Sequence, residues 1–276
     1  MKRTPVLIVF AAIIAVVSML SCDAMFSNNL FAGMTHKTIT ADSVAGMSPS
    51  EIEELLDSEY NMDQVADDPE LKAQLLEQLE GEYTADPGTA EGQTAAILAA
   101  EISIQTVPDA AQLAAGAVGL IMDIPETLDI EWLSDAISGI LPQDIKDSFT
   151  NGSAAAPQGF IDAISAFLEA NAAYEALNAG VGTDGVYDAD VTAEEATEIA
   201  VNALIAGMLG LITGPEPDNT AFASSADVAQ ALWTAMLNPS AADSVIGIDE
   251  DMLNKFTNPA NSPVGNLLTA AGLTDL

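Results

Sequence analysis

The spacing of apolar and polar residues predicts a series of helices along most of the chain. Residues 48–51, Ser-Pro-Ser-Glu, supply an N-cap, a proline at the first helical position and a glutamate at N3, which together form a capping box. Asp68-Pro69 and Asp86-Pro87 repeat the cap-then-proline signal, and Pro108 opens a further apolar segment. Each of these positions is therefore predicted to begin a helix.

Later parts of the chain also show the spacing of apolar residues that is typical of helices. Further helices are predicted over residues 126–140, 142–149, 157–179, 192–213, 224–237, 249–257 and 263–272. Alternating runs typical of half-buried strands are scarce. Alanine is abundant and aromatic residues make up only 5%, so helices can approach one another closely. The sequence predicts an all-α fold, an array of antiparallel helical hairpins forming an irregular bundle or a short solenoid-like stack.

Two local features bear on the arrangement of these helices. Residues 109–121 and 200–212 share six of thirteen positions. A duplicated helical unit and a common bias toward Ala, Gly and Leu explain this match equally well. Trp132 and Trp233 are predicted to anchor the core locally, because each offers a large apolar ring in an alanine-rich chain.

The chain is strongly acidic, and this narrows the classes of partner. Asp and Glu number 42 against six Lys and Arg, so the formal net charge is −36 at pH 7. Phosphate recognition depends on Lys and Arg, so this charge repels nucleic acid and anionic lipid headgroups, and nucleic-acid binding is excluded. Self-repulsion is relieved by salt, so the charge suggests either a saline environment or a surface that collects cations. With 49% apolar residues, the chain is unlike a disordered acidic tail.

The N-terminus carries the pattern of an export signal. Lys2 and Arg3 precede an apolar run over residues 6–20, and Ser21-Cys22 follows directly. The apolar run falls short of the roughly 20 residues that a membrane-spanning helix needs. A cleaved signal is therefore favoured over an uncleaved anchor, and ordinary secretion with a free thiol is the remaining alternative.

The residues around Cys22 resemble the precursors of bacterial lipoproteins. In that family the signal is cut before a cysteine that carries diacylglycerol, although Met19 and Leu20 replace the usual leucine and small residue. Relaxed boxes with serine before the cysteine are similar to those of spirochaete lipoproteins. The resemblance implies lipidation of Cys22 and anchoring in the cell envelope, at the outer leaflet of the inner membrane or at the outer membrane. Several acyl chains would hold firmly, since each buried methylene contributes about 0.8 kcal/mol.

The predicted organisation has three parts. A lipoprotein signal peptide occupies residues 1–21, and a flexible tether occupies residues 22–47, where no helical or alternating period is sustained. An acidic all-helical domain covers residues 48–276. The single cysteine excludes an intramolecular disulfide from this domain.

Two loop motifs are weak. The run from Gly180 to Gly185 matches a dinucleotide fingerprint, but a predicted helix precedes it where a strand is required. Asp184, Asp188 and Asp190 could bind calcium weakly, although Val186 occupies the third position, where a calcium loop needs an oxygen ligand. We therefore interpret this segment as a loop between helices.

The sequence does not offer the combination of residues that a nucleophilic catalytic site needs. The one histidine, His36, lies in the predicted tether, and Cys22 is taken by lipid in the lipoprotein interpretation. Nucleophilic systems that pair serine or cysteine with histidine are therefore not expected, and no catalytic, cofactor-binding or metal-binding residue is predicted. A carboxylate pair of the glycosidase kind is the remaining chemistry, but sugar sites usually add aromatic faces. We expect neither enzymatic activity nor a cofactor.

These observations favour a membrane-anchored envelope lipoprotein that acts as a non-enzymatic scaffold or protein-interaction module. Its expected partners are the membrane, through the N-terminal lipid, and an envelope protein, with no nucleic acid. One alternative is a ligand-binding accessory component of a transport system, whose small-molecule ligand the sequence does not name. The other is an acidic cation-binding surface protein.

Overall fold

Helices make up nearly all of the regular structure. A computed structural model describes residues 38–117, 137–215, 220–248, 262 and 264–273. Its elements in chain order are α1 (Ala41–Val44), α2 (Pro49–Leu56), α3 (Glu59–Asp67), α4 (Pro69–Ala85), α5 (Ala90–Gln105), α6 (Pro108–Ala117), α7 (Gln143–Thr150), α8 (Gln158–Val181), α9 (Ala193–Gly210), β1 (Ile212–Thr213), α10 (Ser225–Leu237), a 3-10 segment (Pro239–Ser244), β2 (Gly247–Ile248) and α11 (Gly265–Ala270). Strands β1 and β2 form a two-residue antiparallel pair. The predicted all-α fold is confirmed.

Cap chemistry sets the starts of α2 and α4 as predicted. The Ser48 hydroxyl accepts from the Glu51 N–H at 3.4 Å, and the Glu51 carboxylate accepts from the Ser48 N–H at 2.8 Å. At α4, the Asp68 carboxylate accepts from the N–H groups of Glu70 and Leu71, both at 3.1 Å. These bonds satisfy N–H groups that the first turn of a helix leaves without an intrahelical partner.

The third cap signal was placed wrongly. Helix α5 begins at Ala90, with Thr89 as its cap accepting from the Gly92 N–H at 3.1 Å. Asp86-Pro87 belongs to the preceding turn, because the Asp86 N–H still donates to the last turn of α4. Helix α3, Glu59–Asp67, was not predicted because its polar sequence carries little apolar period.

Helix α8 is the hub of the described fold. It packs against α4, α5, α6, α9, α10 and α11. Helix α5 is its principal neighbour and is buried around most of its circumference. In a solenoid each repeat contacts only its neighbours in sequence, whereas α8 contacts helices far from it along the chain. The described helices therefore form an irregular bundle, built partly from hairpins such as α4–α5.

The structure includes part of the predicted tether in the helical domain. Ile39 and Val44 are both buried in the core. The Ile39 N–H also donates to the Gln64 side chain on α3 at 3.1 Å. Residues 38–47 thus pack on the domain because they supply apolar side chains that the neighbouring helices bury. The remaining predicted tether and the signal segment, residues 1–37, lie outside the described residues.

Trp233 anchors the core on α10, as predicted. Its side chain is fully buried, and the indole N–H donates to the Ser153 carbonyl at 2.7 Å. The ring lies edge-on to Phe149, with centroids 5.5 Å apart, and tilted against Phe160 at 5.2 Å. Trp132 and the predicted helix over 249–257 lie outside the described residues, as does most of the predicted helix over 126–140.

The two similar segments occupy related positions. Residues 109–117 lie on α6 and residues 200–210 lie on α9, and both helices pack against α8. Residues 118–121 lie outside the described part of the chain. Duplication and shared composition therefore both remain open explanations of the match.

Candidate functional site

Four glutamates on three helices lie within electrostatic reach of one another. Glu53 lies on α2, Glu101 on α5, and Glu195 and Glu198 lie one turn apart on α9. Each interacts electrostatically with at least one other member of the set. We call these four residues the carboxyl cluster.

Local structure explains how each carboxyl group reaches this place. Glu101 is one of the partly exposed residues of α5, at positions 94, 97, 101 and 105; Ala90 and Glu91 at its start are exposed, and the other residues are buried. Glu195 is fixed by the capping box of α9, in which its carboxylate accepts from the Thr192 N–H at 2.7 Å. Glu198 lies three residues after Glu195, on the same face of α9. The exposed Glu53 is supplied by α2, which packs directly against α5.

The cluster retains protons more strongly than ordinary carboxyl groups. Burial raises the pKa of Glu101 to about 8, and the negative charges of Glu198, Glu195 and Glu53 add to the shift. Burial also raises the pKa of Glu198, again with help from neighbouring glutamates. Partial desolvation and the charge of Glu195 raise the pKa of Glu53. Desolvation and like charge both disfavour ionisation, so Glu101 is largely neutral at pH 7.

No lysine among the described residues neutralises the cluster. Lys72 pairs with Glu169 at 3.0 Å on another part of the bundle. The Lys146 ammonium donates to the Gly139 carbonyl at 3.2 Å. Within the described residues, no basic side chain therefore offsets the negative charge of the cluster.

A layer of neutral polar side chains lies beside the carboxyl cluster. Tyr174 on α8 is buried, and its hydroxyl interacts with the carboxyl groups of Glu101 and Glu198. Burial raises the pKa of that hydroxyl most, the charges of Glu101 and Glu198 raise it further, and the Asn202 side chain on α9 acts in the opposite direction, while Tyr187 adds a small rise. We call Tyr174, Tyr187, Asn202 and Gln93 the polar layer.

Three atoms of the polar layer are buried without a hydrogen-bond partner. They are the Asn202 Oδ1, the Tyr187 hydroxyl and the Gln93 Nε2. Gln93 is fully buried, and its Oε1 accepts from the N–H groups of Asp188 and Ala189 at 2.7 and 3.0 Å. This bonding fixes the loop that carries Tyr187. Buried polar groups are nearly always paired, so each of these three atoms is a position where an ordered water would supply the missing hydrogen bond.

The arrangement suits a proton or a basic group better than a metal ion. Within the described residues, no group of three or more His, Cys, Asp or Glu side chains converges closely enough to hold a metal. Asp184, Asp188 and Asp190, the weak calcium candidates, are exposed side chains of the loop after α8. The glycine-rich motif begins inside α8, which extends to Val181, and the loop starts at Gly182 in the left-handed region at φ 68°.

Two further features of the described residues bear on function. A crevice of about 10 Å³ between α6, α8 and α9 is apolar, lined by Leu113, Phe167 and Leu209 among others. That volume is close to the minimum for one water molecule. None of the helices in the described ranges combines the length and apolar character needed to cross a membrane.

The sequence-based interpretation missed the residues of this site. Cys22, the predicted lipidation site, and His36 lie outside the described residues. The sequence did contain a signal for two of these residues. Glu101 is the single charged residue in the apolar segment from Thr94 to Thr106, and Asn202 is a polar residue within a similar apolar segment on α9. Charged and amide side chains are rarely buried without a partner, so both positions invited a search for one.

Comparisons with family models, curated proteins and solved structures give no match to this chain.

Proposed function

We propose that this chain is an exported envelope lipoprotein, anchored through Cys22, whose acidic helical domain acts by non-enzymatic contact with a protein partner. The anchor is supported by Lys2 and Arg3, the apolar run over residues 6–20 and the cysteine that follows. A lipid anchor would keep the domain beside the membrane, where envelope partners are concentrated.

The excess of negative charge is the main support for the proposed contact role. With 42 acidic residues against six basic ones, most carboxylates have no positive partner within the chain. The described residues contain one ion pair between helices, Lys72 with Glu169. A surface of one sign attracts partners of the opposite sign and speeds their encounter. The preferred partner is therefore a protein with a basic surface.

The alternatives rank below this proposal. A transport accessory protein would need a ligand pocket; one crevice among the described residues, the apolar one between α6, α8 and α9, has room for about one water molecule. Cation binding has a specific observation in its favour, the carboxyl cluster beside the polar layer.

Replacement of Cys22 tests the anchor. Cells expressing the wild type, Cys22→Ser or the control Ser27→Ala are fed an alkyne-labelled fatty acid and then fractionated. We expect label and membrane association in the wild type and in Ser27→Ala, and loss of both in Cys22→Ser. Persistent labelling of Cys22→Ser would contradict the anchor.

Salt-dependent capture tests the contact role. The lipidated protein is cross-linked in intact cells and recovered from detergent-solubilised envelopes, and binding of the recovered partner is then measured with purified proteins. We expect a basic partner whose affinity falls steeply between low salt and about 1 M salt, where the Debye length is only about 3 Å. Recovery of no specific partner, together with a measurable turnover, would overturn the proposal.

A further inference from the structure

We propose that Asn151 is a site of spontaneous covalent modification, where the side-chain amide is lost as ammonia, and that local opening at the end of α7 controls the rate. Asn151-Gly152 is the single Asn-Gly step in the chain, and it forms the turn that follows α7. The reaction needs only the chain and water, so the proposal does not depend on the anchor or on the contact role.

The chemistry is a ring closure followed by hydrolysis. The Gly152 backbone nitrogen attacks the side-chain carbonyl carbon of Asn151 and gives up its proton, and the side-chain nitrogen takes up a proton and leaves as ammonia. Water then adds to one of the two carbonyl carbons of the succinimide ring and opens it, which gives aspartate or isoaspartate. Glycine favours the first step because it has no Cβ to obstruct the approach to its nitrogen.

The position of Asn151 makes the two groups accessible. Asn151 and Gly152 are both exposed, and Gly152 occupies the left-handed region at φ 68°. Every other asparagine of the chain is followed by a residue with a side chain. In the described ranges, most of the other asparagines also lie within helices. Asn151 is therefore the asparagine that combines an exposed turn with an unshielded neighbouring nitrogen.

The folded turn keeps the reacting atoms apart. Asn151 caps the C-terminus of α7 with φ −77° and ψ −3°, and its N–H donates to the Asp147 carbonyl at 3.0 Å. The Gly152 N–H donates to the Phe149 carbonyl at 2.9 Å. This bond must break, and the Asn151 ψ must rotate, before the Gly152 nitrogen can reach the side-chain carbonyl carbon. The closed turn therefore protects Asn151, and the opened turn reacts.

Helix α7 is weakly held, so this turn can open without unfolding the domain. Ile145 is the one buried residue of α7. Within the described residues, α7 is also the one helix that packs only weakly against each of the others. Segments with few buried apolar contacts open at a lower free energy than the whole domain. We therefore expect local opening of α7, and not global unfolding, to expose Asn151.

Modification should disturb the Trp233 anchor. The Ser153 carbonyl accepts from the Trp233 indole at 2.7 Å. The Gln230 side chain donates to the Ala154 carbonyl at 3.1 Å and accepts from the Ala156 N–H at 3.0 Å. Isoaspartate inserts an additional carbon into the main chain just before this segment. These bonds cannot all be kept without a shift of the backbone, so the modified protein should be less stable.

Peptide mass spectrometry of the detergent-solubilised full chain, incubated at pH 7 with and without urea, tests the site. Electron-transfer fragmentation distinguishes isoaspartate from aspartate. We expect modification at Asn151 to be between about tenfold and a thousandfold slower in the folded chain than in the unfolded one. A route through global unfolding would slow it by more than about a thousandfold. Equal rates in both states would overturn the gating, and faster modification of another asparagine in the folded chain would overturn the choice of site.

Matched substitutions separate local from global opening. Ile145 on α7 and Ile164 on α8 are both 1% exposed, so Ile145→Val and Ile164→Val remove the same methyl group from equally buried positions. We expect Ile145→Val to speed modification at Asn151 about fivefold and Ile164→Val to leave it unchanged. Equal acceleration by the two variants would overturn the gating by α7.

The separated isoaspartate form and Asn151→Asp test the link to Trp233. Both add one negative charge at an exposed position, but only isoaspartate lengthens the main chain. We expect the isoaspartate form to unfold at a lower urea concentration than the wild type, and Asn151→Asp to unfold close to the wild type. An isoaspartate form as stable as Asn151→Asp would overturn this link.

Discussion

Glu101 should make the stability of this protein fall as pH rises through neutrality. Its pKa is raised from 4.5 to about 8 in the folded chain. Between these values the unfolded state has released the proton while the folded state retains it, so the free energy of unfolding decreases with pH. Below pH 4.5 both states are protonated and there is no penalty. Above pH 8 both are ionised and the penalty is complete.

The size of this effect follows from the shift. One pKa unit corresponds to about 1.4 kcal/mol, so the full shift would represent about 5 kcal/mol. Glu101 is partly accessible, and solvent relaxation around its carboxylate should reduce the value to about 2–3 kcal/mol. Glu101→Gln keeps the shape of the side chain and removes the titration. We therefore expect the variant to be more stable than the wild type by about 2–3 kcal/mol at pH 9 and by little at pH 5.

Urea unfolding of the full chain at half-unit steps between pH 5 and pH 9 measures this difference. Salt at about 1 M screens the surface carboxylates. The raised pKa values of Glu53 and Glu198 also contribute to the pH dependence, so the comparison between wild type and Glu101→Gln isolates the part due to Glu101. Glu77→Gln, on the exposed face of α4, is the matched control and should follow the wild type at every pH. A difference between wild type and Glu101→Gln that stays constant from pH 5 to pH 9 would refute the reasoning.

Two further predictions concern packing. Trp233→Leu should lower the free energy of unfolding by about 3 kcal/mol, because it removes a fully buried ring and its hydrogen bond to the Ser153 carbonyl; urea titration followed by circular dichroism measures this. Gly180→Ala should also destabilise the fold by several kcal/mol, since its Cβ would lie 1.8 Å from the Pro87 carbonyl oxygen. Gly81→Ala is the control, because a Cβ at this helical position would have no atom within 4 Å. It should instead raise the free energy of unfolding by about 0.5–1 kcal/mol. Equal effects of the two substitutions on the thermal midpoint would contradict the prediction.

Local chemistry made much of the fold predictable. The capping boxes at Ser48 and Thr192 and the cap at Asp68 act within a few residues, so their effect is visible in the sequence. The shift of the α5 start from Asp86 to Ala90 shows the limit of this reasoning. Asp86 precedes a proline as a cap would, but the helix before it extends far enough to bond its N–H.

Packing over long sequence separations was not predictable in the same way. The apolar residues of the segment 38–47 show no regular spacing. The sequence therefore does not indicate whether this segment is a flexible tether or packs against the domain. Their burial depends on apolar surface left open by helices that follow later in the chain. Likewise, the whole of α6, α7 and α8 lies between Glu101 and Glu198 in the chain, and no local pattern indicates that the two carboxyl groups influence each other.

The sequence by itself determined the helical class, most helix starts, the excess of negative charge and the prediction that Cys22 is lipidated. These properties follow from composition, from period and from interactions between residues close together in the chain. Only the tertiary structure decided that α8 packs against six other helices, that Ile39 and Val44 join the core, and that four glutamates on three helices lie within electrostatic reach of one another. A pKa near 8 and an unsatisfied amide oxygen arise from desolvation by distant helices, which composition and local spacing do not encode.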